Sequence, residues 1–152
     1  MTAMTAEHGV GGKGGSAAVF VRARAGARGL AGVVETYWYR RSSVVVLKPH
    51  GSLTDALAVQ LDHKIGQLLE RGLVKLIVNL EEVPHATTTG IQVLVCARDE
   101  ARARGGELIL VETPKNLLWI IDRLGITEAL QFMWKERHAL PVLAAAPGRI
   151  TG

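Results

Sequence analysis

Cysteine is almost missing from this chain of 152 residues. Cys96 stands alone, so no disulfide can form within it, and a cross-linked secreted scaffold is excluded. Long apolar runs are missing too: none approaches the roughly 18 consecutive residues that a membrane-spanning helix needs. Aromatic residues are only 5% of the chain, so its core must be aliphatic. The catalytic signatures G-x-S-x-G, G-x-x-x-x-G-K-[ST] and H-E-x-x-H do not occur. The glycines of Gly9–Gly15 (GVGGKGG) follow no strand pattern and precede no helix pattern, so they make a poor phosphate loop. An enzyme is therefore not the expected class.

A strong charge of one sign is absent from the part that should fold. The formal net charge of +4 comes from the first 41 residues, where six Lys/Arg face only Glu7 and Glu35. Residues 42–140 carry eleven Lys/Arg against twelve Asp/Glu. A nucleic-acid binder needs clustered positive charge on its folded surface, and this chain does not place it there. Residues 1–32 are rich in Gly and Ala and basic; they read as a disordered leader. Residues 139–152 read as a flexible Ala/Pro/Gly tail. An intracellular, cytoplasmic protein is the expectation.

Between these ends the pattern is that of one α/β domain, residues 33–138. Val33–Arg40 and Ser43–Lys48 are β-branched and aromatic runs joined by a tight connection, hence an antiparallel pair. Leu57, Leu61, Ile65 and Leu68 form one apolar stripe of a helix from about Asp55 to Arg71, capped by Thr54 or Ser52 and stopped by Gly72. Leu73–Leu80 (LVKLIVNL) and Glu107–Val111 (ELILV) read as strands covered on both faces, as in a parallel sheet. A helix from about Thr89 to Arg104 lies between them, with Ile91, Leu94, Val95 and Ala101 inward. Arg98, Asp99, Glu100, Arg102 and Arg104 form its polar face. Thr113-Pro114 opens a third helix carrying Leu117, Leu118, Ile121 and Leu124. Thr127–Trp134 is a last short helix or strand. Alternation of strand and helix implies a mixed, mostly parallel sheet with helices packed against it.

The most informative segment is Thr87-Thr88-Thr89-Gly90, between a buried strand and a helix. Hydroxyl side chains there sit where a helix presents unpaired N–H groups. The segment suits simple helix capping, a phosphate or a partner's contact loop. Gly90 is expected to permit a close backbone approach and Gly51 to make a turn. His50 and His85 flank the loops at one end of the sheet; without further ligands at metal spacing they read as surface histidines, so no metal and no cofactor is expected. His63 and His138 read as exposed. Cys96 reads as a small buried residue. Trp119 reads as core, and Trp134 as an uncertain interface anchor.

The element order and several local motifs together resemble the STAS domain of bacterial anti-sigma factor antagonists. The motifs are Gly51-Ser52-Leu53-Thr54, Asn79-Leu80, Thr87-Thr88-Thr89-Gly90-Ile91-Gln92-Val93-Leu94, Gly105-Gly106 before a strand, and Leu124-Gly125-Ile126. The resemblance covers about residues 33–138. It implies a protein that binds an anti-sigma factor kinase of the histidine-kinase-like ATPase type and so frees a sigma factor. The kinase then phosphorylates the motif's second hydroxyl residue, and a phosphatase resets the switch. By position the acceptor is Thr89, with Thr88 as the alternative. The partner face would comprise His50, Gly51, Ser52, Thr54, Asp55, Thr87, Thr88, Gly90, Gln92 and Asp99. Three positions depart from the family pattern: Thr54, Asn79 and Thr87 stand where it usually has Asp, which takes three carboxylates from around the corner. Such a domain can equally serve as a non-phosphorylated scaffold or accessory subunit, as in ABC-type lipid transport complexes.

Overall fold

The computed structural model describes residues 32–145 and the strands Met4–Glu7 and Ala18–Ala23. The strands are β1 (Met4–Glu7), β2 (Ala18–Ala23), β3 (Val33–Tyr39), β4 (Val44–His50), β5 (Lys75–Asn79), β6 (Glu107–Val111) and β7 (Phe132–Met133). The helices are α1 (Asp55–Glu70), α2 (Thr88–Ala103), α3 (Lys115–Arg123) and α4 (Glu136–Ala145). All seven strands join one sheet in chain order. β1 through β4 pair antiparallel, and β4 through β7 pair parallel. The expected mixed sheet, with an antiparallel first pair in the STAS-like part, is present in β3–β7.

Regular structure also occurs beyond both expected ends of the domain. β1 and β2 lie within the stretch expected to be a disordered leader; β2 pairs with β3 in register Val19↔Trp38. The run AVFVRA is β-branched and aromatic, and β3 would otherwise present an unpaired edge. At the other end α4 continues through the expected tail to Ala145, because Ala139 and Leu143, four residues apart, are both buried. The remaining parts of the expected leader and tail lie outside the described residues.

α1, α2 and α3 cover one face of the sheet. There Val45 and Leu47 of β4, Leu76 and Val78 of β5, and Leu108 and Leu110 of β6 meet Leu57, Leu61, Ile65, Leu94 and Leu117. The alternate strand positions, Val44, Val46, Ile77, Ile109 and Val111, face α4 through Ala139 and Leu143. The period-2 split of one strand onto two covered faces explains why β5 and β6 read as continuous apolar runs.

Some side chains settle differently from their expected places. Arg98, assigned to the polar face of α2, is 8% exposed. It holds Glu107 of β6 through two hydrogen bonds, Nε to Oε1 at 2.7 Å and a terminal guanidinium nitrogen to Oε2 at 3.0 Å. That bidentate bond, more than the opposing effect of burial, keeps the guanidinium firmly charged. Cys96 is exposed, not buried. Trp119, expected in the core, is 61% exposed because Leu117 and Ile121 take the inward stripe of α3; Leu124 is also exposed. Arg123 lies over the Trp119 ring, 4.7 Å from its centroid.

Candidate functional site at the threonine corner

Two loops at the C-terminal ends of the parallel strands are stitched together by backbone bonds. Gly51 N–H donates to Glu82 C=O, Leu53 N–H to His85 C=O and Thr87 N–H to Leu53 C=O, at 3.0, 2.8 and 3.2 Å. Leu53 and Ala86 form an isolated parallel bridge. Leu53 and Ala86 are buried, so this small extension of the sheet is anchored from below. Gly51 enters the loop at φ +123°, a conformation that side chains disfavour.

α2 begins directly on this platform. Gly90 has helical backbone, yet a Cβ there would lie 2.2 Å from the Leu53 carbonyl oxygen. Only glycine lets the start of α2 come this close to the neighbouring loop. Thr87 is the N-cap, with extended backbone, and its hydroxyl accepts from Gly90 N–H at 3.1 Å while donating to Leu53 C=O at 3.3 Å. Ile91 N–H bonds to Thr87 C=O. Thr87 is therefore fully used by the fold.

Thr88 and Thr89 are different. Both are exposed and neither hydroxyl has a hydrogen-bond partner among the described residues. Their backbone N–H groups are the first-turn donors left over once Gly90 and Ile91 are paired. The corner thus offers two free hydroxyls and two free amides at the positive end of a 16-residue helix.

The expected partner residues divide into two groups. Thr88, Gln92 and Asp99 are exposed on α2, and Cys96, which sequence reasoning assigned to the core, lies between the last two at helical spacing. Asp55, exposed in the first turn of α1, Ser52 and Thr54, both half-buried, belong to the same end of the sheet. Thr54 caps α1 by backbone alone, its C=O accepting from Ala58 N–H at 2.7 Å. His50 separates from this group. Its ring bonds to Glu35 of β3 at 2.9 Å, and its register with Lys48 and Val46 puts it on the α4 face. It is not a loop histidine. His85 is exposed in the loop, and His63 and His138 are exposed on helices.

Asn79 also belongs to the α4 face. Its side-chain N–H donates to the Glu136 carboxylate at 2.9 Å, and its oxygen accepts from Glu81 N–H at 2.9 Å. The Tyr37 and Tyr39 hydroxyls donate to the same carboxylate. So the missing acid at position 79 takes nothing from the threonine corner. Asn79 instead supplies a side-chain N–H donor to the half-buried Glu136 carboxylate. Burial first, and then the Glu136 carboxylate, push the Tyr39 phenol up to about 12 and that of Tyr37 higher still. Sequence reasoning missed this cluster, since Glu136 is 57 residues from Asn79.

Among the described residues no group of three or more His, Cys, Asp or Glu is placed to hold a metal ion. No helix among them is long and apolar enough to cross a membrane.

Residues 38–139 match the model of the STAS domain family, which is more than half of the chain. The chain belongs to the STAS domain family. Among solved structures it is similar to TM1081 of Thermotoga maritima, described as an anti-sigma factor antagonist. The two share 18% identity over 66% of this chain and 87% of the other, with a TM-score of 0.62. The anti-sigma factor antagonist SpoIIAA in its unphosphorylated form gives 18% identity, 74% and 99% coverage and a TM-score of 0.61. A sulfate transporter family protein of Wolinella succinogenes gives 22% identity, 66% and 84% coverage and a TM-score of 0.59. Likeness at these identities speaks for the fold. The threonine corner of this STAS domain is built by the loops that the resemblance singled out, with Thr87 and Gly90 as its fixed parts.

Proposed function

We propose that this STAS domain is an anti-sigma factor antagonist, a cytoplasmic regulator of transcription rather than an enzyme. It binds an anti-sigma factor of the serine/threonine kinase type and is released by phosphorylation of Thr89. The observation that carries this reading is the division of labour among three adjacent threonines. Thr87 is consumed by the cap, whereas Thr88 and Thr89 hold exposed, unpartnered hydroxyls at a helix N-terminus. In the transfer, the Thr89 hydroxyl oxygen bonds to the γ-phosphorus of ATP, ADP leaves, and the hydroxyl proton passes to a base of the kinase.

A phosphate on Thr89 adds about −1.5 to −2 charges. The dipole of α2 and the free Thr88 and Thr89 amides favour that charge, so the fold tolerates it. The docked partner is what the new charge repels. The binding face comprises the corner, the Gly51–Asp55 loop and the α2 stripe of Gln92, Cys96 and Asp99.

Incubation with the partner kinase and ATP, followed by phosphosite mapping and binding measurements, tests this. Phosphate on Thr89 and weaker binding of the phosphorylated form are expected. Thr89→Ala should stay bound in the presence of ATP. Phosphate on Thr88 alone would move the acceptor by one residue. Tight binding with no phosphate on either threonine would remove the switch and leave a constitutive STAS scaffold.

A further inference from the structure

α3 buries Leu117 and Ile121 and turns one face outward. Successive helix residues lie about 100° apart, so Lys115, Asn116, Asp122 and Arg123 all fall within about 60° of the Trp119 direction. All five residues are exposed. The fold thus leaves a large apolar ring in water at the centre of a helix face, the kind of side chain that anchors protein contacts. The charges around it are unused. Lys115, Asp122 and Arg123 make no ion pair among the described residues. Asn116 donates its side-chain N–H to Pro84 C=O at 2.7 Å, which leaves its side-chain oxygen to accept.

The order of these groups makes the face complementary to itself. Lys115 and Asp122 lie on one side of Trp119, and Asn116 and Arg123 on the other. A two-fold axis across the helix at Trp119 sets a second α3 antiparallel to the first and brings each side of the stripe onto the same side of the copy, with its ends exchanged. Lys115 then faces Asp122 of the second copy, Asn116 faces Arg123, and the two Trp119 rings meet at the centre. We propose that the exposed face of α3 is a contact between two copies of this chain. A nine-residue helix is only about 14 Å long, so the paired faces bury less than the roughly 1,200 Å² at the low end of stable interfaces. The dimer is therefore weak, with a Kd on the order of 100 μM. None of the five residues belongs to the threonine corner.

Sedimentation equilibrium of the full chain, from about 10 μM to about 1 mM, tests this. The average mass should rise from one chain toward two. Trp119→Ser should weaken association at least about tenfold. Lys115→Asp and Asp122→Lys each set like charges against each other twice across the axis, and each alone should weaken it by a similar factor. An equimolar mixture of those two variants should associate again, because the acidic pair of one meets the basic pair of the other. Recovery in the mixture also shows that both variants fold, and urea unfolding of each checks it independently. A chain that stays monomeric at the highest concentration would overturn the proposal. So would an association that Trp119→Ser leaves unchanged, or folded charge variants whose mixture associates no better than either alone.

Discussion

On one face of the sheet α1, α2 and α3 close the core mostly with aliphatic side chains, Arg98 paired to Glu107 being the buried polar exception, and free hydroxyls are left outside, at the start of α2. On the other face α4 is held partly by apolar contacts and partly by a carboxylate, Glu136, that gathers Asn79, Tyr37 and Tyr39. The same domain therefore keeps its free hydroxyls where nothing inside needs them and spends its polar side chains where a helix must be latched. Polar groups that the fold already satisfies are poor candidates for partner chemistry; Thr88 and Thr89 are unsatisfied and exposed.

The corner is broken most severely by Gly90→Ala. The new Cβ would meet a backbone oxygen of a buried loop, which has nowhere to go. A loss of about 3 kcal/mol or more is expected in urea unfolding. Gly51→Ala, strained only by its positive φ, should cost less, about 1 kcal/mol. Equal losses would mean that backbone conformation, and not close approach, governs the corner.

Asn79→Asp probes the opposite face. It replaces a donor to Glu136 by a second carboxylate. At neutral pH two like charges in a half-buried site should cost about 2 kcal/mol, and the penalty should shrink in acid as one carboxyl takes a proton. Asn79→Asp in a Glu136→Gln background should recover most of the loss. Failure of that rescue would separate Asn79 from α4 and return position 79 to the threonine corner.

These residues also show what a sequence can disclose. The strands β5 and β6, the helices α1 and α2, and the Thr87–Gly90 corner are local patterns, and their places in the chain are close to those expected. What was not legible depends on contacts between distant segments. Arg98 looks like any charged helix residue until β6 brings Glu107 to it. Cys96 was assigned inward by its apolar neighbours, although Leu94, Ala97 and Ala101 already fill the buried side of α2. Glu136 lay beside an expected tail and gave no sign that it latches a helix to three strand residues. β1 and β2 escaped because Gly- and Ala-rich flanks mask a strand pattern that only an open sheet edge completes.

The chain has two tyrosines, and both contact Glu136, so tyrosinate absorbance reads the latch directly. Tyr39 titrates near 12 in the folded protein, above the ordinary value of 10. A raised folded pKa means that the folded state holds its proton more tightly. Its stabilising contribution is complete below pH 10 and is lost as pH rises from 10 through about 12. Because Tyr39 is partly exposed, solvent screening limits its share to about 1 kcal/mol. Tyr39→Phe should make the alkaline limb of the stability curve shallower by its own share, with the share of Tyr37 remaining, while threonine-corner variants should leave it unchanged. A limb as steep in Tyr39→Phe and in Glu136→Gln as in the unchanged chain would detach the loss from the latch.

The smallest effect separates binding from folding on the exposed side of the corner. Cys96 carries no packing role, so coupling a maleimide to it should change the unfolding free energy by no more than about 0.5 kcal/mol. It nevertheless stands on the helix stripe between Gln92 and Asp99, and a bulky adduct there should weaken binding of the anti-sigma factor at least about tenfold. A fluorescent maleimide on the same residue gives a second readout, since partner docking should shield the dye. The α4 face supplies the control: Arg137→Ala, on an exposed residue beyond the latch, should leave both stability and binding in place. If the adduct binds as tightly as the unmodified chain, the partner does not use α2, and the exposed hydroxyls of Thr88 and Thr89 must be reached from the Gly51–Asp55 side alone.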